Sequence, residues 1–223
     1  MSHSGAIDAP GFGSGRFVST ASGPRDLLGR PRDGYGAIHA DPAWQFALWS
    51  AKGMDRSPDG QTRAAQRQNR PENHYKTMPL AEIKALPVGS LAAKDSVLFL
   101  WCVNPMLPQA VEVGAAWGFE YRTVAFVWAK LRREGSDRHK LHEEPWHKLF
   151  PMGTGYWTRA NPELCLLFTR GKPKRLSASV RTLLIAPRRE HSRKPDEARE
   201  RIGLLARKDK AALLGARQGG FTV

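Results

Sequence analysis

Cysteines and long apolar runs are scarce in this sequence of 223 residues. The two cysteines, Cys102 and Cys165, both stand inside apolar stretches, which is typical of buried thiols in a reducing cytoplasm and not of a disulfide framework. No apolar run reaches the roughly 20 residues that a membrane-spanning helix needs, and the first residues lack the apolar core of a signal peptide. We therefore expect a soluble, cytoplasmic protein with no membrane partner.

Acidic residues are also few relative to basic ones. There are 21 Asp and Glu against 35 Lys and Arg, which gives a formal net charge of +14. The excess is concentrated late in the chain, since residues 170–223 hold 15 basic and 5 acidic residues. Such a basic surface favours a polyanionic partner, of which nucleic acid is the commonest, although many proteins are basic for solubility alone.

Residues 1–34 show no sustained periodicity and are rich in Gly, Ser, Pro and Arg. This composition predicts a flexible N-terminal tail, followed by one domain over residues 35–223. The tail contains GFGSG at 11–15, which has neither the preceding strand nor the following helix of a glycine-rich nucleotide loop. Residues 50–74 and 130–156 are polar or mixed-charge stretches, and we expect both to flank one functional crevice.

From residue 35 onward, strand patterns alternate with helical ones. This alternation predicts an α/β protein with a mostly parallel central sheet and helices on both faces. Ligands bind at the carboxyl ends of the strands in such sheets. The predicted strands cover 35–40, 97–103, 121–128, 163–169 and 182–186; the predicted helices cover 78–86 after an N-cap at Thr77, 105–117 after a cap at Asn104, and 194–206.

A metal site is not predicted. His139, His142 and His147 stand near Glu143 and Glu144, but their spacing matches no zinc pattern and no cysteine joins them. We interpret these residues as part of a solvated loop.

The stretch YGAIHADPAWQF, at 35–46, raises the question of why a predicted strand ends in an acid, a proline and a large aromatic residue. One reading is a simple turn, because Asp and Pro both favour turns. The other is a pocket for a base with an exocyclic amine. There, the Asp41 carboxylate and the Pro42 carbonyl would accept hydrogen bonds from the amine and localise its lone pair. Trp44 would stack on the ring, once the base has left its helix.

Five blocks of the sequence, in order, resemble one protein family. They are ADPAWQF, HYKTMPLAEIKALPV, VLFLWCVNPMLPQAVEVGAAWGFEYRTVAFVWAK, MGTGYWTRANPELCLLFTRGKP and REHSRKPDE, within residues 35–202. The family is that of the eukaryotic mRNA N6-adenosine methyltransferase catalytic subunit, and the similarity is greatest to its bacterial and phage adenine-specific DNA methyltransferases. The resemblance implies a Rossmann-like methyltransferase fold, S-adenosylmethionine as cofactor, and methylation of the N6 amine of adenine, in DNA in preference to RNA.

The resemblance assigns the catalytic motif to Asp41, Pro42, Ala43 and Trp44. Asp41 and the Pro42 carbonyl would hold the amine, and Trp44 would stack on the adenine. The family normally has a second proline where this chain has Ala43. Because the carbonyl geometry depends mainly on Pro42, we expect Ala43 to loosen the turn and lower the rate without removing a chemical group.

Further residues are assigned to binding by the same resemblance. Tyr75, Asn161 and Glu163 match positions near the substrate. Lys194 matches the position that contacts the cofactor's carboxylate. It also opens the last predicted helix, whose exposed N–H groups and positive dipole end favour an anion.

The C-terminal segment departs from the family pattern. The family continues into an apolar strand, an arginine, a tryptophan and a closing Gly-Asn-Glu/Gln that wrap the adenosine end of the cofactor. Here residues 213–217 align with the strand and its arginine, and Phe221 aligns with the tryptophan, but the closing Asn and Glu/Gln have no counterpart. We therefore expect a shortened cofactor segment, with Asp41 and Arg217 as remaining contacts.

Three functions stay open from the sequence. The first is S-adenosylmethionine-dependent methylation of adenine N6 in DNA. The second is a catalytically inactive member that binds nucleic acid as a partner or regulatory subunit, which the short C-terminal segment favours and the retained Asp41 disfavours. The third is methylation of another amine, such as cytosine N4. One domain leaves little room for a target-reading module, so we expect relaxed specificity or a partner subunit.

Overall fold

The structure is a computed structural model. Several predictions concern residues outside the part of the chain it describes: the N-terminal tail, the GFGSG stretch, the clustered histidines, Tyr75, and most of the two polar stretches. The described residues are 31, 33–45, 77–132, 149–153, 157–189, 193–206, 211–217 and 220–222. No helix in these ranges is long and apolar enough to cross a membrane.

Strands and helices alternate along the chain, which confirms the α/β class. All five predicted strands are present, and a further strand covers the segment aligned with the family's C-terminal strand. In chain order the elements are β1 (Tyr35–Asp41), α1 (Leu80–Ala85), α2 (Val88–Leu91), β2 (Ala92–Cys102), a 3-10 helix (Asn104–Met106), α3 (Leu107–Ala116), β3 (Glu120–Leu131), β4 (Glu163–Arg170), β5 (Leu183–Pro187), α4 (Asp196–Leu205), β6 (Ala211–Arg217) and β7 (Gly220–Thr222).

Within the described residues, seven strands form one sheet in the order β5-β3-β4-β2-β1-β6-β7. Strand β1 is parallel to β2 on one side and to β6 on the other, and β3 is parallel to β5. Strand β4 is antiparallel to both β2 and β3, and β7 is antiparallel to β6. The sheet is therefore mixed, with β1, β2, β3, β5 and β6 pointing in one direction.

Both faces of the sheet are covered, because alternate strand residues point to opposite sides and both sides are apolar. Helices α1, α2 and α3 pack on one face through Ile83, Val88, Ala110 and Val113, against strand residues such as Ile38, Leu98, Leu100 and Leu166. Helix α4 packs on the other face through Ala198 and Ile202, against Phe99, Trp101, Phe126, Trp128 and Leu184.

Both cysteines are buried and free, as predicted. Burial, with a further contribution from Glu163, raises the pKa of the Cys102 thiol to about 12.

The predicted start of the first helix is wrong. Thr77 does not cap it; α1 begins at Leu80 after Pro79, and no side chain caps its first turn. The reason lies in the backbone before the helix. The Met78 N–H donates to the Ala43 carbonyl at 2.8 Å and holds this segment in an extended bridge with the end of β1.

The starts of the other two helices are also shifted. Asn104 does not cap an α-helix but begins a 3-10 helix, and α3 starts at Leu107. A helix that began at Pro105 would need an N–H from Pro108, which has none. Lys194 does not open α4, which starts at Asp196, because the proline at 195 disfavours helical backbone at the residue before it.

Candidate active site

Asp41 is the last residue of β1, at the carboxyl end of the strand. The chain leaves β1 toward β2 on one side and returns as β6 on the other, where Asp41 pairs with Gly215. A crevice opens outside the carboxyl ends of a sheet where neighbouring connections diverge in this way, and ligands bind there. The acid of the Asp-Pro-Ala-Trp motif therefore stands where an α/β protein places its ligand.

Two lysines and two carboxylates form a charge cluster at this edge of the sheet. The Lys194 Nζ lies 2.8 Å from Asp41 Oδ2 and 3.3 Å from Glu163 Oε2. Lys130 forms a short ion pair with the other oxygen of Glu163. The side chains of Lys194 and Glu163 are 10% and 12% exposed, whereas that of Asp41 is 32% exposed. Asp41 is thus the member of the cluster that is most open to a ligand.

The two carboxylates differ in their ionisation. Burial raises the pKa of the Asp41 carboxyl above its ordinary value, and the nearby Lys194 ammonium opposes that rise only in part. Burial also acts on Glu163, but the two lysines outweigh it and hold its pKa below the ordinary value. Glu163 is consequently a fixed counter-charge for the lysines, while Asp41 has the greater tendency to accept a proton.

The Lys194 ammonium lies over the ring of Trp101, which is hydrogen-bonded to His39. Its Nζ lies 5.7 Å from the centre of the Trp101 ring, and the Trp101 Nε1–H donates to His39 Nε2 at 2.5 Å. Burial lowers the pKa of His39 to about 3, with smaller contributions from Arg199 and Lys194. His39 is therefore neutral and accepts the indole N–H, which fixes the plane of the ring beneath the ammonium.

The Asp-Pro-Ala-Trp stretch is a tightly anchored turn. The Trp44 N–H donates to the Pro42 carbonyl at 3.0 Å, and the Trp44 indole N–H donates to the Trp101 carbonyl at 2.9 Å. Trp44 is only 4% exposed and packs in the core. The buried indole therefore fixes the turn that carries the Pro42 carbonyl, and stacking on adenine stays a prediction. The roles of Pro42 and Ala43 are likewise predictions.

Asn161 lies beside the charge cluster and not within it. Its Oδ1 accepts the Lys130 N–H at 3.0 Å, and its Nδ2 donates to the Lys130 carbonyl at 3.0 Å. It therefore positions the backbone of the strand that carries Lys130. Its predicted contact with substrate is untested, as is the contact of Arg217 with the cofactor. Arg217 ends β6 two residues after Gly215, so its backbone lies at the same sheet edge as Asp41.

Lys130, Trp101 and His39 were missed by sequence reasoning. Lys130 had a usable signal, since a lysine near the carboxyl end of an apolar strand (FVWAK) needs a counter-charge. His39 and Trp101 had no such signal, because each stands within an apolar run and a residue there is expected to belong to the hydrophobic core. Among the residues the structure describes, no group of three or more His, Cys, Asp or Glu side chains is arranged to hold a metal ion.

Fold and site together define an α/β protein with a carboxylate–lysine cluster at the carboxyl edge of its sheet, the edge at which such folds bind ligands. The profile of the MT-A70 family matches residues 35–218, from the first strand to the end of β6. The chain belongs to the MT-A70 family.

The chain is also similar to individual methyltransferases. Type II methyltransferase M.MunI of Mycoplasma sp is 32% identical over 169 residues, which are 74% of this chain and 64% of that protein. The N(6)-adenosine-methyltransferase MT-A70-like protein of Arabidopsis thaliana is 28% identical over 82% of this chain and 21% of its own length. A protein of Oryza sativa subsp. japonica that is named probable N(6)-adenosine-methyltransferase MT-A70-like is 27% identical over 77% of this chain and 19% of its own length. The chain thus spans less than two thirds of the bacterial relative and about a fifth of the plant ones.

Proposed function

We propose that this protein is an S-adenosylmethionine-dependent methyltransferase that acts on the N6 amine of adenine in DNA. The observation that carries the proposal is the position of the Asp41 carboxylate, in a chain of the MT-A70 family. It stands at the end of β1, next to the Pro42 carbonyl and against Lys194. The names of the plant relatives, which specify N(6)-adenosine, favour adenine over cytosine.

We further propose that residues 35–223 form one methyltransferase domain with a Rossmann-like fold. Five strands that point the same way support this assignment, as do helices on both faces of the sheet. The divergence of connections at β1 supports it too, because Rossmann-like sheets bind their ligands at such a point.

The chemistry that we propose for Asp41 follows from its surroundings. An exocyclic amine on an aromatic base is a poor nucleophile because its lone pair is delocalised into the ring. The Asp41 carboxylate and the Pro42 carbonyl are two acceptors fixed in place before the substrate arrives, and they favour the tetrahedral nitrogen that forms as the methyl group is accepted. The raised pKa of Asp41 also makes it a better acceptor for the proton that this nitrogen must lose.

The charge cluster fits S-adenosylmethionine by its chemistry. The cofactor supplies a methyl group on a positively charged sulfur, and it carries a carboxylate and an ammonium group. Lys194 offers an ammonium for the carboxylate, and Asp41 and Glu163 offer negative charge for the cationic groups. The resemblance assigned Asp41, Glu163 and Lys194 to the cofactor and the substrate, and Lys130 supports this proposal only through its ion pair with Glu163.

One observation favours DNA as the substrate, and it is the greater identity to the bacterial relative. The bacterial type II methyltransferase is 32% identical to this chain, against 28% and 27% for the plant N(6)-adenosine-methyltransferases. The net charge of +14 suits a polyanion of either kind. A partner subunit remains part of the proposal.

The test is methyl transfer from labelled S-adenosylmethionine to unmethylated DNA, followed by digestion and separation of the nucleosides. RNA of the same sequence is the second substrate. Asp41→Asn removes the proposed acceptor charge, and Glu82→Gln, an exposed acid in the first turn of α1, is the matched control. We expect label in N6-methyladenine with the wild type and the control, and none with Asp41→Asn. Label in N4-methylcytosine would contradict the adenine assignment. Salt-sensitive DNA binding without any label would identify an inactive, nucleic-acid-binding member.

A further inference from the structure

Two large apolar side chains are held out in solvent close to the start of β4. Met152 is 76% exposed and Trp157 is 93% exposed, which makes them the most exposed large apolar residues in the described part of the chain. Trp157 also has a φ of 66°, in the left-handed region that a bulky residue adopts at an energetic cost. A strained backbone that presents a tryptophan to solvent indicates a binding role for the ring.

The segment that carries Trp157 has a firmly fixed base. The Gly153 N–H donates to the Ala160 carbonyl at 2.8 Å, which joins described residues on the two sides of Trp157. Asn161 donates to the Pro151 carbonyl at 2.9 Å and also bonds the backbone of Lys130 on β3. Because Lys130 pairs with Glu163 of the charge cluster, the base of this segment is tied directly to the proposed active site.

Trp157 lies at the same edge of the sheet as Asp41. Strand β4 is antiparallel to β2, and its second residue, Leu164, pairs with Cys102 at the carboxyl end of β2. Trp157 precedes Glu163 by six residues. An extended chain of that length reaches at most about 20 Å. Stacked bases follow one another every ~3.4 Å along a strand, so the ring is within a few nucleotides of a base held at Asp41.

Three exposed arginines border this edge. Arg159 stands two residues after Trp157, Arg132 follows β3 and Arg188 follows β5. The Arg188 N–H donates to the carbonyl of Leu131 at 3.0 Å, which places Arg132 and Arg188 at adjacent strand ends. None of the three forms an ion pair with an acidic residue in the described ranges. Their charge is available to an anionic ligand.

We propose that the surface formed by Met152, Trp157, Arg159, Arg132 and Arg188, the stacking surface, binds the substrate strand beside the target adenine. Trp157 stacks on an unpaired neighbouring base, and the arginines contact the phosphates. An aromatic ring bordered by cations is the combination that binds single-stranded nucleic acid, whereas the core of a protein–protein interface is depleted of charge. The inference rests on the proposed function, since it assumes a nucleic-acid substrate.

Fluorescence anisotropy with a labelled, adenine-containing single-stranded DNA tests this surface. Stacking on one base is worth about 1–3 kcal/mol, so Trp157→Ala should weaken binding by roughly 5- to 150-fold, and Trp157→Phe should retain most of the affinity. Arg159→Gln should reduce the salt dependence of binding by about one phosphate contact. Leu176→Ala is the matched control, because Leu176 is 52% exposed and its N–H bonds the Leu205 carbonyl at the opposite edge of the sheet. It should bind as the wild type does.

The outcomes separate this inference from the proposed function. Weaker DNA binding by Trp157→Ala supports the stacking surface even if the wild type transfers no methyl group. Unchanged binding by Trp157→Ala, in a protein that methylates DNA, would overturn it. A variant with unchanged DNA affinity but an altered oligomeric state on size-exclusion chromatography would also overturn it, and would identify a protein interface. The melting temperature of each variant, measured beside its DNA binding, separates a loss of affinity from a loss of folding.

Discussion

Lys194→Met is the perturbation that tests the charge cluster most directly. Methionine keeps a long apolar side chain above Trp101 but removes an ammonium that lies 2.8 Å from Asp41 and 3.3 Å from Glu163. At an effective dielectric constant of about 20, two charges about 3 Å apart attract by roughly 5 kcal/mol, most of which desolvation offsets. Removing one partner of a buried pair costs about 3–5 kcal/mol, and because Asp41 is partly exposed we expect about 3 kcal/mol at pH 8.

The loss should grow with pH. In the wild type, the lowered pKa of Glu163 contributes stability that is present above its unfolded-state pKa, near 4.5, and is lost as the pH falls through the lower folded value. Without Lys194, the pKa values of Asp41 and Glu163 both rise, because two carboxylates then share one lysine. The folded variant holds protons that its unfolded chain has already released. Its stability relative to the wild type therefore falls as the pH rises above about 4.5.

Urea unfolding at pH 5 and pH 8 measures both effects. Lys84→Met is the matched control, because Lys84 forms a 2.6 Å ion pair with Glu112 whose side chains are 34% and 55% exposed. We expect the control to lose less than about 1 kcal/mol. The double variant Lys194→Met/Asp41→Asn should recover most of the loss at pH 8, since it removes the carboxylate that has lost its paired lysine, whereas Glu163 keeps its ion pair with Lys130. An equal loss at both pH values, with no recovery in the double variant, would refute the electrostatic account of Lys194.

Asp41→Asn should abolish methyl transfer and leave the free energy of unfolding at pH 8 unchanged or higher, because a carboxyl whose pKa is raised in the folded state is least favourable there when ionised. Urea unfolding and the methylation assay measure the two effects. The acid limb of the pH profile of kcat/KM should lie above 3.8, the ordinary value for aspartate, and Lys194→Met should move it higher. A limb below that value would count against Asp41 as the titrating group. Gly114→Ala should lower the free energy of unfolding by about 2 kcal/mol, as overpacking does, because a Cβ there would lie 2.2 Å from the buried Phe168 ring. A loss near zero would show that helix α3 can move away from the sheet.

Strand positions and the place of Asp41 were predictable from the sequence for a physical reason. A strand buried on both faces must be apolar throughout, so β2 and β4 are visible as continuous runs, and the polar residue that follows such a run is at a strand end. The same local reasoning failed at helix starts. Where a helix starts depends on interactions between distant segments, such as the hydrogen bond from the Met78 N–H to the Ala43 carbonyl. The residue types at the end of the helix do not reveal such interactions.

The composition of the site was only partly predictable. Asp41, Glu163 and Lys194 were named from the resemblance, but their mutual contacts join positions up to 153 residues apart, and no local pattern encodes such a distance. From the sequence, Lys194 was predicted to stand at the start of a helix and to bind an anion there. In the structure the first turn of α4 already carries Asp196 and Glu197, and Lys194 reaches two carboxylates instead. Lys130 belongs to the site because Lys194 contacts only one oxygen of the buried Glu163, and the other oxygen needs a second cation.

The distribution of charge is consistent with the two proposed ligands, a cationic cofactor and an anionic nucleic acid. The cluster at Asp41 balances two lysines with two carboxylates, so it has no net charge although the whole chain carries +14. A neutral cluster does not repel a cationic cofactor, whereas two more buried lysines at the same place would. The three exposed arginines, which form no ion pair with the residues that the structure describes, lie instead at the strand ends near Trp157, where water screens their mutual repulsion and where the proposed contact with phosphates would occur. Asn161 and Glu163 both contact Lys130, so the proposed stacking surface is joined to the charge cluster through β3, and a strand bound there would be held in a fixed relation to Asp41.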